Sequence, residues 1–289
     1  MYWKYGQRIL AAGHIIRRDP RLNAIYVTNF GCGPDSFITK FFTRQMGDKP
    51  FLTIEVDEHS ADVGAITRCE AFLDSIKNAE SSGKPHRVRY VLPKYDLRRG
   101  RRLKVYIPYM DDHGHVMAAA MRFNGVDAEQ LPMSDERSLE LGRRYTTGKE
   151  CYPCTITTGD ILRKVFEPGF DRKRSAFFMP IAYGPCRFGQ YNKFHRMVLD
   201  DLGFDDVAII TFDQTRDFAA DVKNLGPRFH RMAWQALVLV DYLQKLLRET
   251  RPYELNEGEC DRLYQRYLKR AVRLVENGRD LRILARLAR

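Results

Sequence analysis

Short apolar strands and amphipathic helices alternate along most of this 289-residue chain, and that order restricts the fold more than any other feature. Ala24 to Phe30 reads as a strand, Gly31-Cys32-Gly33-Pro34-Asp35-Ser36 as a glycine-rich turn, and a helix starts near Phe37. Phe51 to Val56 is the next strand and Val63 to Ile76 the next helix, after an opening amphipathic helix over Met1 to Ile16. Strands separated by helices pair in parallel through right-handed crossovers. The expected class is α/β, with Rossmann- or flavodoxin-like units whose parallel sheets are flanked by helices.

A polar, basic stretch from Ser81 through Arg102 divides the alternation, with a short strand expected at Arg87 to Leu92. The pattern resumes with strands at Leu103 to Tyr109, Val126 to Leu131, Ala176 to Tyr183 and Val207 to Phe212. Asp111-Asp112-His113-Gly114 reads as the cap of a helix ending at Phe123, and Ser134 to Gly142 as a short helix. Further helices follow Cys151 (to Phe166) and Cys186 (to Leu202). From Phe229 the spacing of Met232, Ala236, Leu239, Val240 and Leu243 is that of a buried or partner-facing helix, broken by Pro252 before a last helical stretch at Arg262 to Val275. The organisation expected is an α/β segment at 1–80, a basic linker at 81–102, a second α/β segment at 103–250 and a basic helical tail at 251–289. Both ends start or stop abruptly, and we expect a piece of a longer polypeptide.

No apolar run spans a bilayer and the N-terminus has no signal-peptide pattern, so a cytoplasmic protein is the expectation. The formal charge of +11 is concentrated in Lys84 to Lys104 and Arg262 to Arg289. Such runs contact nucleic acid, phosphates or acidic partners, or are simply solvated. No zinc-finger spacing, aromatic stacking motif or recognition helix accompanies them, which disfavours nucleic acid.

Six cysteines without a secretory signal leave metal, redox chemistry or buried thiols. Cys69 and Cys260 read as structural. Cys32, Cys151 and Cys186 each lie in a loop hedged by Gly or Pro, and Cys154 completes a Cys-Tyr-Pro-Cys spacing with Cys151 at a loop-to-helix junction. A thiolate at a helix start is stabilised by free N–H groups, and such thiolates bind soft metals. One Cys-x-x-Cys without a second pair is a poor zinc site. Thioredoxin-like exchange fits Cys151 and Cys154 locally but not a long doubly wound chain. An iron–sulfur cluster needs three or four thiolates from converging loops, and three such loops are present. The carboxylates and His59 of Glu55 to Asp62 read as a polar loop and helix cap, with a hard-metal site as the lesser alternative, and His195 as a packed residue with a proton donor as the lesser one. Gly31-Cys32-Gly33 is too short for a dinucleotide fingerprint.

Four stretches carry a resemblance: Asn29-Phe-Gly-Cys-Gly-Pro-Asp-Ser-Phe37, Leu52-Thr-Ile-Glu-Val-Asp-Glu-His-Ser-Ala-Asp62, Gly148-Lys-Glu-Cys-Tyr-Pro-Cys154 and Gly184-Pro-Cys-Arg-Phe-Gly-Gln-Tyr191. Together they resemble the activase-related proteins of the 2-hydroxyacyl-CoA dehydratase system, and the similarity covers most of residues 1 to 250. In that family large anaerobic polypeptides join ATP-hydrolysing activase domains to dehydratase-like modules with iron–sulfur clusters. The resemblance implies that Cys151 and Cys186 are the first two cluster cysteines of one module and Cys32 the last of the module before it. Residues 1–80 would then be the C-terminal part of one module and 103–250 the N-terminal part of the next. Cys154 is an addition to the family pattern, carried here as a fourth candidate ligand. No phosphate-binding glycine loop is present, so the activase part is not represented.

The expected function is thus an iron–sulfur-binding, electron-transfer module, with a cluster of the 4Fe-4S kind. Any enzymatic role would belong to an oxygen-sensitive acyl-CoA dehydratase or reductase-like system. Expected partners are the remaining modules of the parent polypeptide or a homologous subunit, an ATP-dependent activase and an acyl-CoA, without a membrane. A catalytically silent α/β scaffold or interaction module with structural cysteines is the alternative, and a thiol–disulfide oxidoreductase the third.

Overall fold

A computed structural model describes residues 3–80, 103–211 and 228–282. The basic linker, the expected strand at Arg87 to Leu92 and the last seven residues lie outside the described residues. The chain is α/β, with parallel sheets flanked by helices and a helical C-terminal segment.

It divides into two compact units. The first takes in the described residues of Met1–Leu92 together with Thr146–Cys151 and Ala182–Phe194. The second comprises the described residues of Pro93–Tyr145, Tyr152–Ile181 and His195–Arg289. Two short loops distant in sequence thus join the N-terminal unit, where the sequence pattern gave them to the second α/β segment.

The first unit contains α1 (Lys4–Arg18), β1 (Ala24–Thr28), α2 (Asp35–Met46), β2 (Phe51–Glu55) and α3 (Asp62–Glu80). β1 and β2 pair in parallel, Ala24 opposite Phe51 through Thr28 opposite Glu55, with α2 as the crossover. Ala24 and Tyr26 turn inward and join Ile38, Phe42 and Met46 in a small core, packed by Ile9, Leu10 and Ile16 of α1. Gly13 allows the approach of the two helices, because a Cβ there would lie 2.6 Å from the Phe42 ring. The end of α1 is closed by a cation: Lys49 Nζ donates to the carbonyls of Ile16 (2.5 Å) and Asp19 (2.7 Å), satisfying acceptors that a helix terminus leaves open.

The second unit contains β3 (Lys104–Ile107), α4 (His113–Phe123), β4 (Ala128–Gln130), α5 (Glu136–Tyr145), α6 (Tyr152–Val165), β5 (Ser175–Phe178), β6 (Ala208–Ile210), α8 (Phe229–Thr250) and α9 (Glu259–Glu276). Helix α7 (Tyr191–Asp201) begins in one unit and continues in the other. The sheet is parallel throughout in the order β4-β3-β5-β6, so the winding reverses between β3 and β5, the switch point of a doubly wound sheet. Val105, Ile107, Ala176, Phe178, Ala208 and Ile210 form one buried face with α4, Leu239, Val240 and Leu243 of α8, and Tyr264, Leu268, Ala271 and Val275 of α9. The stretch expected as a basic tail therefore supplies a core-forming helix.

Helices α5 and α6 cross at backbone contact. A Cβ at Gly159 would stand 1.6 Å from the Ser138 carbonyl oxygen, and one at Gly142 2.0 Å from that of Thr155. Beside this crossing lies Asp160, fully buried and accepting from Ser134 Oγ at 2.8 Å. Burial raises its carboxyl above the usual range, against the lowering effects of Ser138, Ser134 and Arg163.

Candidate functional site

Three of the four cysteines singled out by sequence, Cys32, Cys151 and Cys186, belong to the first unit, and Cys154 belongs to the second. The loop of Cys32 follows β1 through a run of left-handed backbone, with φ of 55° at Phe30, 60° at Gly31 and 58° at Gly33. Phe30 holds that conformation despite its Cβ, at a cost of roughly 1 kcal/mol. Asp35 then anchors the start of α2 by accepting from Tyr26 Oη (3.0 Å) and Thr28 Oγ1 (2.6 Å).

The Cys151 loop is shaped by Glu150. This buried carboxylate accepts from the Thr147 backbone N–H at 2.8 Å and from Thr147 Oγ1 at 2.9 Å, folding the chain around Gly148 at φ 86°. Its other oxygen, Oε1, has no hydrogen-bond partner among the described residues. Lys149 crosses over Gly31, where a Cβ would meet its side chain at 2.9 Å, and forms an ion pair with Glu55 at the end of β2. Cys151 itself is half-buried, with its sulfur 2.6 Å from Tyr191 Oη.

Arg187 joins the Cys186 loop to the Cys151 loop and to the first turn of α2, which follows Cys32. It follows Cys186, and its Nη1 donates to Ser36 Oγ (3.0 Å), beyond Cys32, and to the Lys149 carbonyl (3.3 Å), two residues before Cys151. Beneath it Tyr191 stacks on Phe37 at 5.9 Å, Phe194 meets Phe37 edge-on at 5.8 Å, and the Phe188 ring meets Tyr191 at 5.2 Å. Fully buried Phe37 fixes α2 and the Cys186 loop on one aromatic layer. Cys32 and Cys186 are exposed.

Three thiols on glycine-hedged loops, two of them at the surface, are donors of the type a soft iron centre takes. The coordination set is not assembled: among the described residues no group of three or more His, Cys, Asp or Glu side chains is placed to hold a metal ion.

Cys154 is fully buried within α6, where Thr157, Thr158 and Ile161 follow on the same inward face. That spacing of three, four and seven is visible in the sequence, and it marks Cys154 as a packing thiol. His195 is packed as well: it is 1% exposed, its Nε2 is 3.2 Å from Thr157 Oγ1, and burial pushes its pKa down to about 3 despite a hydrogen bond with the Cys154 backbone. It is neutral at physiological pH, which does not suit a proton donor. Cys69 and Cys260 are both partly buried. In the acidic loop Asp57 accepts from the His59 N–H (2.8 Å) and Ser60 Oγ (2.9 Å), a turn of the kind expected of a polar loop.

The Asp111-Asp112-His113 segment does more than start α4. No side-chain cap forms there, and the Asp112 carboxylate instead accepts from Tyr109 Oη (3.1 Å) and Tyr264 Oη (2.7 Å). Gln244 Nε2 donates to Asp111 at 2.6 Å and His113 Nε2 lies 2.9 Å from Asp241. These bonds tie the exit of β3 to α8 and α9, and burial with the neighbouring Asp112 charge raises Tyr109 to about 12.

Sequence reasoning did not single out Lys149, Glu150, Arg187 or Tyr191. Arg187 and Lys149 stand within two residues of a cysteine, and a basic side chain beside a candidate thiolate was the available signal. Among the described residues no helix is long and apolar enough to cross a membrane. Compared with known proteins, the chain matches no protein-family model, no curated protein and no solved structure.

Proposed function

We propose that the first unit carries the ligand loops of an iron–sulfur-binding, electron-transfer module related to the 2-hydroxyacyl-CoA dehydratases and their activases, working in the cytoplasm. The observation that carries this reading is the Arg187 guanidinium, which from beside Cys186 bonds Ser36, in the first turn of α2 four residues past Cys32, and the Lys149 carbonyl, two residues before Cys151. Cys32, Cys151 and Cys186 would serve as thiolate ligands of the cluster, and since all six cysteines of this chain lie within the described residues, the remaining thiolates would come from a homologous subunit. When bound, such a cluster supplies one-electron transfer at low potential. The hydroxyl of Tyr191 shares a hydrogen bond with the Cys151 sulfur, and the buried Glu150 holds the loop shape. A dehydratase or reductase-like parent, an ATP-dependent activase and an acyl-CoA are the partners consistent with this reading.

The second reading, a scaffold with structural cysteines, is favoured at one position by the full burial of Cys154. Protein purified without oxygen separates the two through its iron and acid-labile sulfide content and its absorption spectrum. Cys32→Ala, Cys151→Ala and Cys186→Ala are expected to lose iron, and Cys154→Ala to retain it. Iron content that is unaffected by the first three substitutions, or absent from the unaltered chain after anaerobic reconstitution, would overturn the proposal.

A further inference from the structure

Helix α9 keeps one face in the core through Tyr264, Leu268, Ala271 and Val275. On the opposite face Arg262, Arg266, Lys269 and Arg273 are exposed, within about 60° of one another at about 100° per residue, and Arg270 flanks them. The row runs for about 16 Å along the helix axis. Arg266, Lys269, Arg270 and Arg273 have no ion-pair partner among the described residues, and Arg262 reaches only the Glu257 carbonyl at 3.4 Å.

Other helices of this protein match cations to carboxylates three or four residues away, as in Arg144 with Glu140, Lys164 with Glu167 (2.5 Å) and Lys245 with Glu249 (3.7 Å). On α9 the i,i+4 neighbours are instead alike: Arg262 with Arg266, Arg266 with Arg270, and Lys269 with Arg273. Each such pair works against the helix. The buried face secures α9 in spite of them, so the cations are presented on a rigid support.

We infer that this ridge is a docking surface for the acidic face of a helix from a partner protein. The spacing of Arg262, Arg266, Lys269 and Arg273 is four, three, four, the period of a single helix face, so the four cations form one straight row that carboxylates at the same period along a partner helix can match. Phosphate contacts require no such register. The aromatic residues of α9, Tyr264 and Tyr267, fall off the ridge, which leaves it without a stacking platform for bases.

The test uses the full chain and a labelled synthetic helical peptide with Glu at four-three-four spacing, compared by fluorescence anisotropy with an isomer of the same composition whose Glu residues are spread around the helix. The expected result is saturable binding of the first peptide at low salt and several-fold weaker binding of the isomer. Arg266→Glu combined with Arg273→Glu should weaken the first peptide by about tenfold or more while circular dichroism stays unchanged, since the substitutions relieve like charges. The inference is overturned if the isomer, a short DNA duplex or phosphatidylserine vesicles bind as tightly as the first peptide. It is also overturned if charge reversal leaves binding unaltered, or if the first peptide does not bind.

Discussion

Ile25-Tyr26-Val27 of β1 and Val105-Tyr106-Ile107 of β3 are nearly the same strand in sequence, and both are parallel-paired. Their surroundings differ. In β3 all three residues are buried, with Val105 and Ile107 each 2% exposed, because β4 and β5 flank the strand and helices α4, α8 and α9 cover that face. In β1 only Tyr26 is buried, whereas Ile25 and Val27 are 53% and 63% exposed. A run of β-branched and aromatic residues specifies a strand, but the number of its faces that become core is decided by elements distant in sequence.

The contrast can be broken most strongly through pH. His195 is buried neutral in the folded state, with its pKa lowered from 6.5 to about 3. A base with a depressed folded pKa contributes stability that is complete above the unfolded value and is lost as the pH falls towards the folded one. The free energy of unfolding should therefore drop between pH 6.5 and 3, by on the order of 4 kcal/mol at pH 3, and His195→Gln should flatten that limb in denaturant titrations. An unchanged limb would remove His195 as its cause.

Truncation of matched strand residues sharpens the comparison directly. Ile107→Ala should cost about 3 kcal/mol, and Val27→Ala less than about 0.5 kcal/mol, in equilibrium unfolding. Equal costs would show that the open face of β1 is covered in solution.

Glycines offer a third test. Gly159→Ala forces a Cβ into the Ser138 carbonyl and should destabilise by about 3 kcal/mol. Gly33→Ala meets nothing within 4 Å and bears only the left-handed backbone penalty, about 1 kcal/mol. Thermal melts of the two variants should therefore separate clearly. Tyr264→Phe removes one of two phenol donors from Asp112 and should cost about 1 kcal/mol. A loss several times greater would place the network at the exit of β3 among the main determinants of the second unit.

Much of the fold was legible in the sequence, since β1, β2, α2 and α8 follow patterns of two or 3.6 residues read locally. The grouping of residues 146–151 and 182–194 with the N-terminal unit was not. It depends on bonds such as Arg187 to Ser36, 151 residues apart, for which no local pattern exists. At the candidate site the glycine-hedged cysteines stood out, but what links their loops did not. Cys154 was the opposite case, because its inward spacing with Thr157 and Ile161 was readable and the Cys-x-x-Cys spacing drew attention away from it. The charge run at the C-terminus concealed the apolar stripe of Tyr264, Leu268, Ala271 and Val275 that makes α9 part of the core.

The backbone contact between α5 and α6 bears on the order in which the chain organises itself. These helices are sequence neighbours, so bringing them together closes only a short loop, whereas each parallel strand pair must close over an intervening helix. The helical hairpin is therefore expected to form before the sheets, and the loop it closes is the one that carries Cys151. Any thiolate chemistry at that residue would then begin on a turn whose two ends were already held, leaving the Cys32 and Cys186 loops to arrive later.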